Sequence, residues 1–168
     1  MITFKQYVEN MDNEQFFDHL KREVDGLAMN HKLIVHQTMN DRAENIIKSE
    51  YFGNVGLNGT ALLVNPDSII NTVKVMMGID TGINVSIHKG SDSLVLMVFP
   101  TSIYVKYKLR SLTGIDDHLI SLNSEGKIKT FGLPNKFIYG YIHGGQVVRN
   151  PSFDPDPAIL ELPEGVEF

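Results

Sequence analysis

The sequence predicts an α+β domain, because helical periodicity dominates its first half and strand-like runs dominate its second half. The chain has 168 residues, which is enough for one domain with a sizeable core. Apolar residues recur at helical spacing up to Met77, whereas the continuous run Ser93–Phe99 has the length of a buried strand. This segregation favours an α+β domain over a doubly wound sheet.

Composition and charge exclude several classes of protein. The net charge is −5, and 42% of the residues are hydrophobic, so the whole molecule is not expected to be attracted to nucleic acid or to an anionic membrane. The chain has no cysteine, which excludes disulfides, thiolate metal sites and cysteine nucleophiles. The first residues lack the features of a signal peptide, and the apolar run Leu94–Phe99 is too short to cross a bilayer. We expect a cytoplasmic protein with no membrane partner.

Two helices are predicted to open the chain. Thr3 with Gln6 forms a capping box for the first helix, and Asp12 with Gln15 forms one for the second. Their apolar stripes are Phe4, Tyr7, Val8 and Met11 in the first helix, and Phe16, Phe17, Leu20, Val24 and Leu27 in the second. Such stripes need a core to cover, so residues 1–30 are expected to be a helical segment that packs on the domain at 31–150.

Two strand–helix pairs are predicted next. Leu33–Val35 forms the first strand, and Thr38 is expected to cap the following helix, whose N-terminus would also suit a phosphate. Thr60–Val64 forms the second strand, and Asn65 with Pro66 starts the second helix. The positions expected to face inward are Met39, Ala43, Ile46 and Ile47 in one helix, and Ile69, Ile70, Val73, Met76 and Met77 in the other.

The second half of the chain is predicted to be mostly strands. The candidate strands are Asn84–His88, Ser93–Phe99, Tyr104–Leu109, His118–Leu122, Lys127–Phe131 and Phe137–Ile142. Residues 151–168 are rich in proline and acidic residues, so we expect an extended tail there. The six histidines show no metal-ligand spacing, and no metal site is predicted.

The sequence contains no P-loop, Rossmann glycine fingerprint, nucleophile elbow or H-E-x-x-H motif. It does contain a set of short sequence phrases, that is, motifs of low specificity that follow one another in a defined order. In chain order they are Leu33–Thr38 with its strand, histidine and hydroxyl, Ala43–Phe52, Gly59–Val64, Leu94–Pro100 and Leu133–Ile142. Their shared order resembles the ADP-ribosyltransferase-like superfamily, including its RNA 2′-phosphotransferase and toxin-like branches.

The resemblance implies a split antiparallel sheet with N-terminal helices, and NAD as a substrate. It assigns His36 to the ribose on the nicotinamide side and Thr38 to holding the dinucleotide. Members of the family usually stack an aromatic residue on the nicotinamide, but Thr60–Val64 contains none, so Tyr51 is expected in that role. Glu125 is expected to be the catalytic glutamate, which would stabilise the positive charge that develops as nicotinamide leaves.

Three of these residues also have a plain structural interpretation. His36 would be a packed core histidine, Thr38 a helix cap and Glu125 an exposed hairpin residue. Three functions therefore remain open. The first is an ADP-ribosyltransferase that modifies a protein or a nucleic acid. The second is a non-catalytic binding or structural accessory protein, of phage type, that retains the fold. The third is phosphotransfer from an RNA 2′-phosphate to NAD, which would use the basic row Lys106–Arg110.

Overall fold

The structure, a computed structural model, describes residues 12–49, 51–52, 60–100, 110–111, 118–121 and 133–156. The helices of the described residues are α1 (Asn13–Ala28), α2 (Asn40–Lys48) and α3 (Pro66–Met76). The strands are β1 (His31–Thr38), β2 (Tyr51–Phe52), β3 (Thr60–Val64), β4 (Ser93–Pro100), β5 (Arg110–Ser111), β6 (His118–Ser121), β7 (Leu133–Pro134), β8 (Ile138–His143) and β9 (Gln146–Arg149). A 3₁₀ turn, Asn135–Phe137, precedes β8. The predicted α+β class is confirmed.

Seven of these strands form one sheet, in the order β5-β6-β3-β1-β4-β8-β9, and every neighbouring pair is antiparallel. The central strand β1 pairs with β4 over its whole length, from His31 opposite Pro100 to Thr38 opposite Ser93. Its other neighbour is β3. The strands predicted at Thr60–Val64 and Ser93–Phe99 therefore lie on either side of β1.

Helices cover both faces of this sheet. Leu33 and Val35 of β1 belong to the main core, which lies beneath α1 and α3. The apolar side chains that these helices bury are Phe16, Phe17, Leu20 and Val24 of α1, and Ile69, Ile70 and Val73 of α3. Because side chains alternate along a strand, Ile34, His36 and Thr38 face the opposite side. Helix α2 packs over β4 and β8 on that second face, where it buries Ala43 and Ile46.

Helices α1 and α3 run antiparallel. The Lys21 ammonium lies 3.0 Å from the Asp67 carboxylate at the start of α3, and the Lys74 ammonium lies 5.2 Å from the ring centre of Phe17. The predicted capping box of α1 is confirmed, since Asp12 accepts from the Gln15 N–H and the Gln15 side chain accepts from the Asp12 N–H. The predicted Asn65 cap of α3 is also confirmed.

The segment 84–88, predicted as a strand, is not one. Its backbone joins no ladder, and the side chain of Gln37 holds it instead. The Gln37 amide donates to the Ser86 carbonyl at 2.9 Å, and its oxygen accepts from the His88 N–H at 2.8 Å. The polar–apolar alternation of this segment is that of an extended chain, but an extended chain becomes a strand only when a neighbour pairs with it.

The chain that follows β9 is packed against β8. Asn150 is 4% exposed, and the ring of Phe153 meets the ring of Tyr139 edge-on at 5.2 Å between centres. The backbone N–H of Asp154 donates to the Lys136 carbonyl, and the Lys136 ammonium donates to the Asp156 carbonyl.

Several expectations lie outside the described residues. They are the first helix with its Thr3 cap, the strands at Tyr104–Leu109 and Lys127–Phe131, and the tail at 157–168. In the part of the chain that the structure describes, no helix combines the length and the apolar character needed to cross a membrane.

Candidate functional site

The second face of the sheet carries His36 among a set of aligned side chains. In the strand register His36 lies opposite Val95, and Val95 lies opposite Tyr141. Directly opposed residues in antiparallel strands project to the same face, so these three form one row across β1, β4 and β8. Thr38, Ser93 and His143 form the next row toward the end of β1. The face thus changes from apolar to polar where β1 ends.

His36 is the one partly exposed member of its row. Val95 is fully buried and Tyr141 is 4% exposed, whereas the histidine keeps part of its surface accessible. Thr38, two residues further along the same face, is 5% exposed. The Cα atoms of His36 and Thr38 are about 7 Å apart, because a strand rises about 3.4 Å per residue. The strand therefore presents an imidazole and a hydroxyl in line on one face.

Thr38 does not cap α2, contrary to the prediction. It is the last residue of β1, where it pairs with Ser93, so the helix begins only at Asn40 and its N-cap is Met39. Met39 offers no capping side chain, and it is 40% exposed instead of facing inward as predicted. The Asp92 carboxylate takes the role of the cap, because it accepts from the Asn40 N–H at 2.9 Å.

The start of α2 is consequently an acidic environment. Asp92 occupies the first free N–H, and Asp41 lies in the first turn, where its carboxylate accepts from the Arg42 N–H at 2.9 Å. Two carboxylates at a helix N-terminus interact favourably with the helix dipole and repel other anions. The structure therefore gives no support to a phosphate site at this helix end.

Asp92, Ser93 and His143 form a cluster that superficially resembles a hydrolase triad. His143 Nδ1 lies 3.1 Å from the Ser93 hydroxyl, 3.1 Å from the Asp92 carbonyl and 3.8 Å from the Asp92 carboxylate. A carbonyl oxygen only accepts, so we assign the hydrogen to Nδ1, which then takes no proton from Ser93. The Ser93 hydroxyl lies 3.2 Å from the Asp92 carboxylate, and Ser93 is fully buried.

This cluster is a structural unit. In a triad the serine and the acid contact different nitrogens of the histidine ring, whereas here all contacts are made through Nδ1. Its effect is to fix Asp92 beneath the first turn of α2.

Replacing Asp92 with alanine should destabilise the protein by about 1 kcal/mol, which is the usual value of a helix cap. Urea denaturation followed by circular dichroism measures the change in the free energy of unfolding. The Asp92→Asn variant keeps an acceptor oxygen, so it should lose less than half as much. Equal losses in both variants would indicate that the charge of Asp92, and not its hydrogen bond, stabilises α2.

Tyr141 and Glu44 form a polar pair beside the His36 row. Burial raises the pKa of Tyr141, and the nearby Glu44 carboxylate, which accepts a hydrogen bond from the tyrosine hydroxyl, raises it further. Tyr141 is therefore a neutral donor at physiological pH. The sequence alone does not reveal this pair, because its only signal is the strand register that aligns β8 with β1 through β4.

The side chains of Tyr51 and Glu125, the other predicted site residues, lie outside the part of the chain that the structure describes. The backbone of Tyr51 pairs with Pro134 in the separate two-stranded sheet of β2 and β7, and its side chain is beyond what the structure describes. Glu125 and most of the basic row lie outside the described residues, and Arg110 is in the edge strand β5. Among the described side chains, no group of three or more His, Asp or Glu could hold a metal ion.

Comparisons of the chain with protein-family models, with curated proteins and with solved structures returned no match. The fold itself defines the class as α+β, with an antiparallel sheet covered by helices on both faces.

Proposed function

We propose that this chain binds NAD through His36 and transfers its ADP-ribose to an acceptor. One observation carries the proposal. His36 is a partly exposed polar side chain on the central strand of the sheet, and β3 and β4 flank that strand. These are the strands that the resemblance treats as the second core strand and the strand that follows it. The order of the phrases in the sequence thus corresponds to neighbouring strands around one histidine.

The chemistry of the His36 face suits a ribose. An imidazole nitrogen accepts from or donates to a sugar hydroxyl, and the Thr38 hydroxyl lies on the same side of the strand. The diphosphate of the dinucleotide would lie away from the start of α2, because Asp41 and Asp92 make that end of the helix acidic. This arrangement favours contact between the nicotinamide-side ribose and His36.

The reaction itself would break the bond between the ribose C1′ and the nicotinamide nitrogen. Nicotinamide leaves with the electron pair, and an acceptor nucleophile forms the new bond at C1′ as it loses its proton. A carboxylate such as Glu125 would stabilise the positive charge that develops on the ribose. In this proposal His36 binds and orients, and Glu125 acts on the reacting ring.

The test is calorimetric titration of NAD into wild type, His36→Ala and His88→Ala. We expect His36→Ala to weaken binding at least tenfold, because it removes a hydrogen bond to the ribose; a loss of about 1.4 kcal/mol is tenfold in affinity. His88 is an exposed histidine outside the sheet, so its variant is the matched control and should bind as wild type does. A folded wild type that does not bind NAD would refute the proposal.

Nicotinamide release measured in the same samples separates binding from transfer. Glu125→Gln should abolish release and leave NAD binding within about twofold of wild type, because it removes a charge and keeps the shape. The sequence of β3 contains no aromatic residue to stack on the nicotinamide, which favours a second candidate, a non-catalytic binding protein. NAD binding by wild type without any nicotinamide release would support that second candidate.

A further inference from the structure

Between α3 and β4 the chain contains an extended segment, residues 83–89, which we call the strap. Every residue of the strap is exposed or partly exposed. A glycine with a positive φ angle stands at each end of it, Gly82 at 68° and Gly90 at 82°. Glycine adopts such angles at no steric cost. The strap is therefore bounded on both sides by residues at which the backbone readily changes direction.

The side chain of Gln37 in β1 holds the strap. Its amide nitrogen donates to the Ser86 carbonyl at 2.9 Å, and its amide oxygen accepts from the His88 N–H at 2.8 Å. Within the described part of the chain, these are the hydrogen bonds that connect the strap to the body of the molecule. Its other hydrogen bonds are made with Thr81 and Ser91, the residues immediately beyond the two glycines.

The apolar contacts of the strap are incomplete. Val85 and Ile87 are partly buried, and Ile83 is 56% exposed. Ile83 and Val85 form one wall of a groove of about 390 Å³, and Val75 and Ile79 at the end of α3 form the other. A segment that buries little apolar surface and has exposed hydrogen bonds opens at a low cost in free energy. Gln37 is thus the main restraint on the strap.

We propose that the strap opens as a unit about Gly82 and Gly90, and that the side chain of Gln37 is the latch that keeps it closed. Opening removes one wall of the groove at the end of α3. The sheet stays intact, because β1 keeps its neighbours β3 and β4 and the strap pairs with none of these strands. Side chains alternate along β1, so Gln37 projects away from the His36 face, and the proposal is independent of NAD binding.

Limited proteolysis of the full-length protein with trypsin tests the latch, because Lys89 lies in the strap. Gln37→Ala removes both hydrogen bonds, so cleavage after Lys89 should be at least about fivefold faster than in wild type. Ser86→Ala is the matched control, since the latch binds the backbone carbonyl of Ser86, which alanine retains. This control should be cleaved within about twofold of the wild-type rate. Mass spectrometry quantifies the cleavage at each bond.

A core variant separates opening of the strap from unfolding of the domain. Val24→Ala truncates a side chain of α1 that is 1% exposed, so it raises the population of the unfolded domain. Cleavage after Lys74, in the last turn of α3, should then be at least about tenfold faster. Cleavage after Lys89 should stay within about twofold of wild type, because opening of the strap leaves the core intact.

Two results would overturn the proposal. If Gln37→Ala is cleaved after Lys89 no faster than wild type, Gln37 is not a latch. If Val24→Ala accelerates cleavage after Lys89 as much as cleavage after Lys74, the strap is released only when the whole domain unfolds.

Discussion

Gly140→Ala should lower the free energy of unfolding by about 3 kcal/mol, which is the upper part of the range for overpacking a buried site. Gly140 lies in the middle of β8, between Leu96 of β4 and Arg149 of β9. A Cβ atom built there would overlap the carbonyl oxygen of Val148 and lie 3.0 Å from the Arg149 Cα atom. These are backbone atoms of a paired strand, so they move aside only if the β8–β9 ladder opens.

Urea denaturation of Gly140→Ala measures this loss, and Gly26→Ala is the matched control. Gly26 lies in α1, and a Cβ atom there would have nothing within 4 Å. Alanine is favoured over glycine in a helix by about 1 kcal/mol, so Gly26→Ala should stabilise the protein. If Gly140→Ala were as stable as wild type, β9 would not be paired with β8 at this point in solution.

Asn150→Ala should destabilise the protein by about 3 kcal/mol, because it removes a buried amide that donates to one buried and two partly buried acceptors. The Asn150 side-chain amide donates to the backbone carbonyls of Asn135 and Ile138, at 3.0 and 2.9 Å, and to the side-chain oxygen of Asn135 at 2.9 Å. Its own oxygen accepts from the Ser152 N–H at 3.1 Å.

The effect should extend to α2, because Asn135 continues the network. Its amide donates to the Ile47 carbonyl at 2.9 Å, which is one of the unpaired carbonyls at the end of that helix. Hydrogen exchange should therefore increase in the last turn of α2 when Asn150 is replaced. Asn45→Ala, an exposed position on the same helix, serves as the control and should change stability by less than about 0.5 kcal/mol. Unchanged exchange in α2 would mean that Asn135 holds the helix end without Asn150.

Features that depend on neighbours in sequence were predictable. The Asp12 and Asn65 caps each act on a residue three positions away, so the sequence contains the whole interaction. The strand at Ser93–Pro100 was also predictable, because a continuous apolar run of that length indicates a strand buried on both faces. In each case the residues that predict the feature are the same few consecutive residues that form it.

Features that depend on distant partners were not predictable. The cap of α2 comes from Asp92, which is 52 residues from Asn40, and the segment 84–88 is held by Gln37. From the sequence alone, Thr38 was a plausible cap, because threonine is a favoured N-cap residue and it comes just before the helical pattern. Only the strand register reveals that Thr38 still belongs to β1.

The candidate site contains both kinds of feature, one that depends on sequence neighbours and one that depends on distant partners. The position of His36 near the end of a buried strand followed from the local pattern. The alignment of His36 with Tyr141 did not, because it depends on two successive pairings, of β1 with β4 and of β4 with β8. A shift of one residue in either pairing would place Tyr141 on the other face of the sheet.

The central position of β1 also governs the order in which the chain folds. This strand is made before its main partner, because its longest pairing joins Thr38 to Ser93 at one end and His31 to Pro100 at the other. The partner β4 in turn pairs with β8, which is made later still. Folds dominated by such non-local pairs form in milliseconds to seconds rather than microseconds. On the ribosome, β1 therefore remains an apolar segment without its main partner until residues 93–100 have been made.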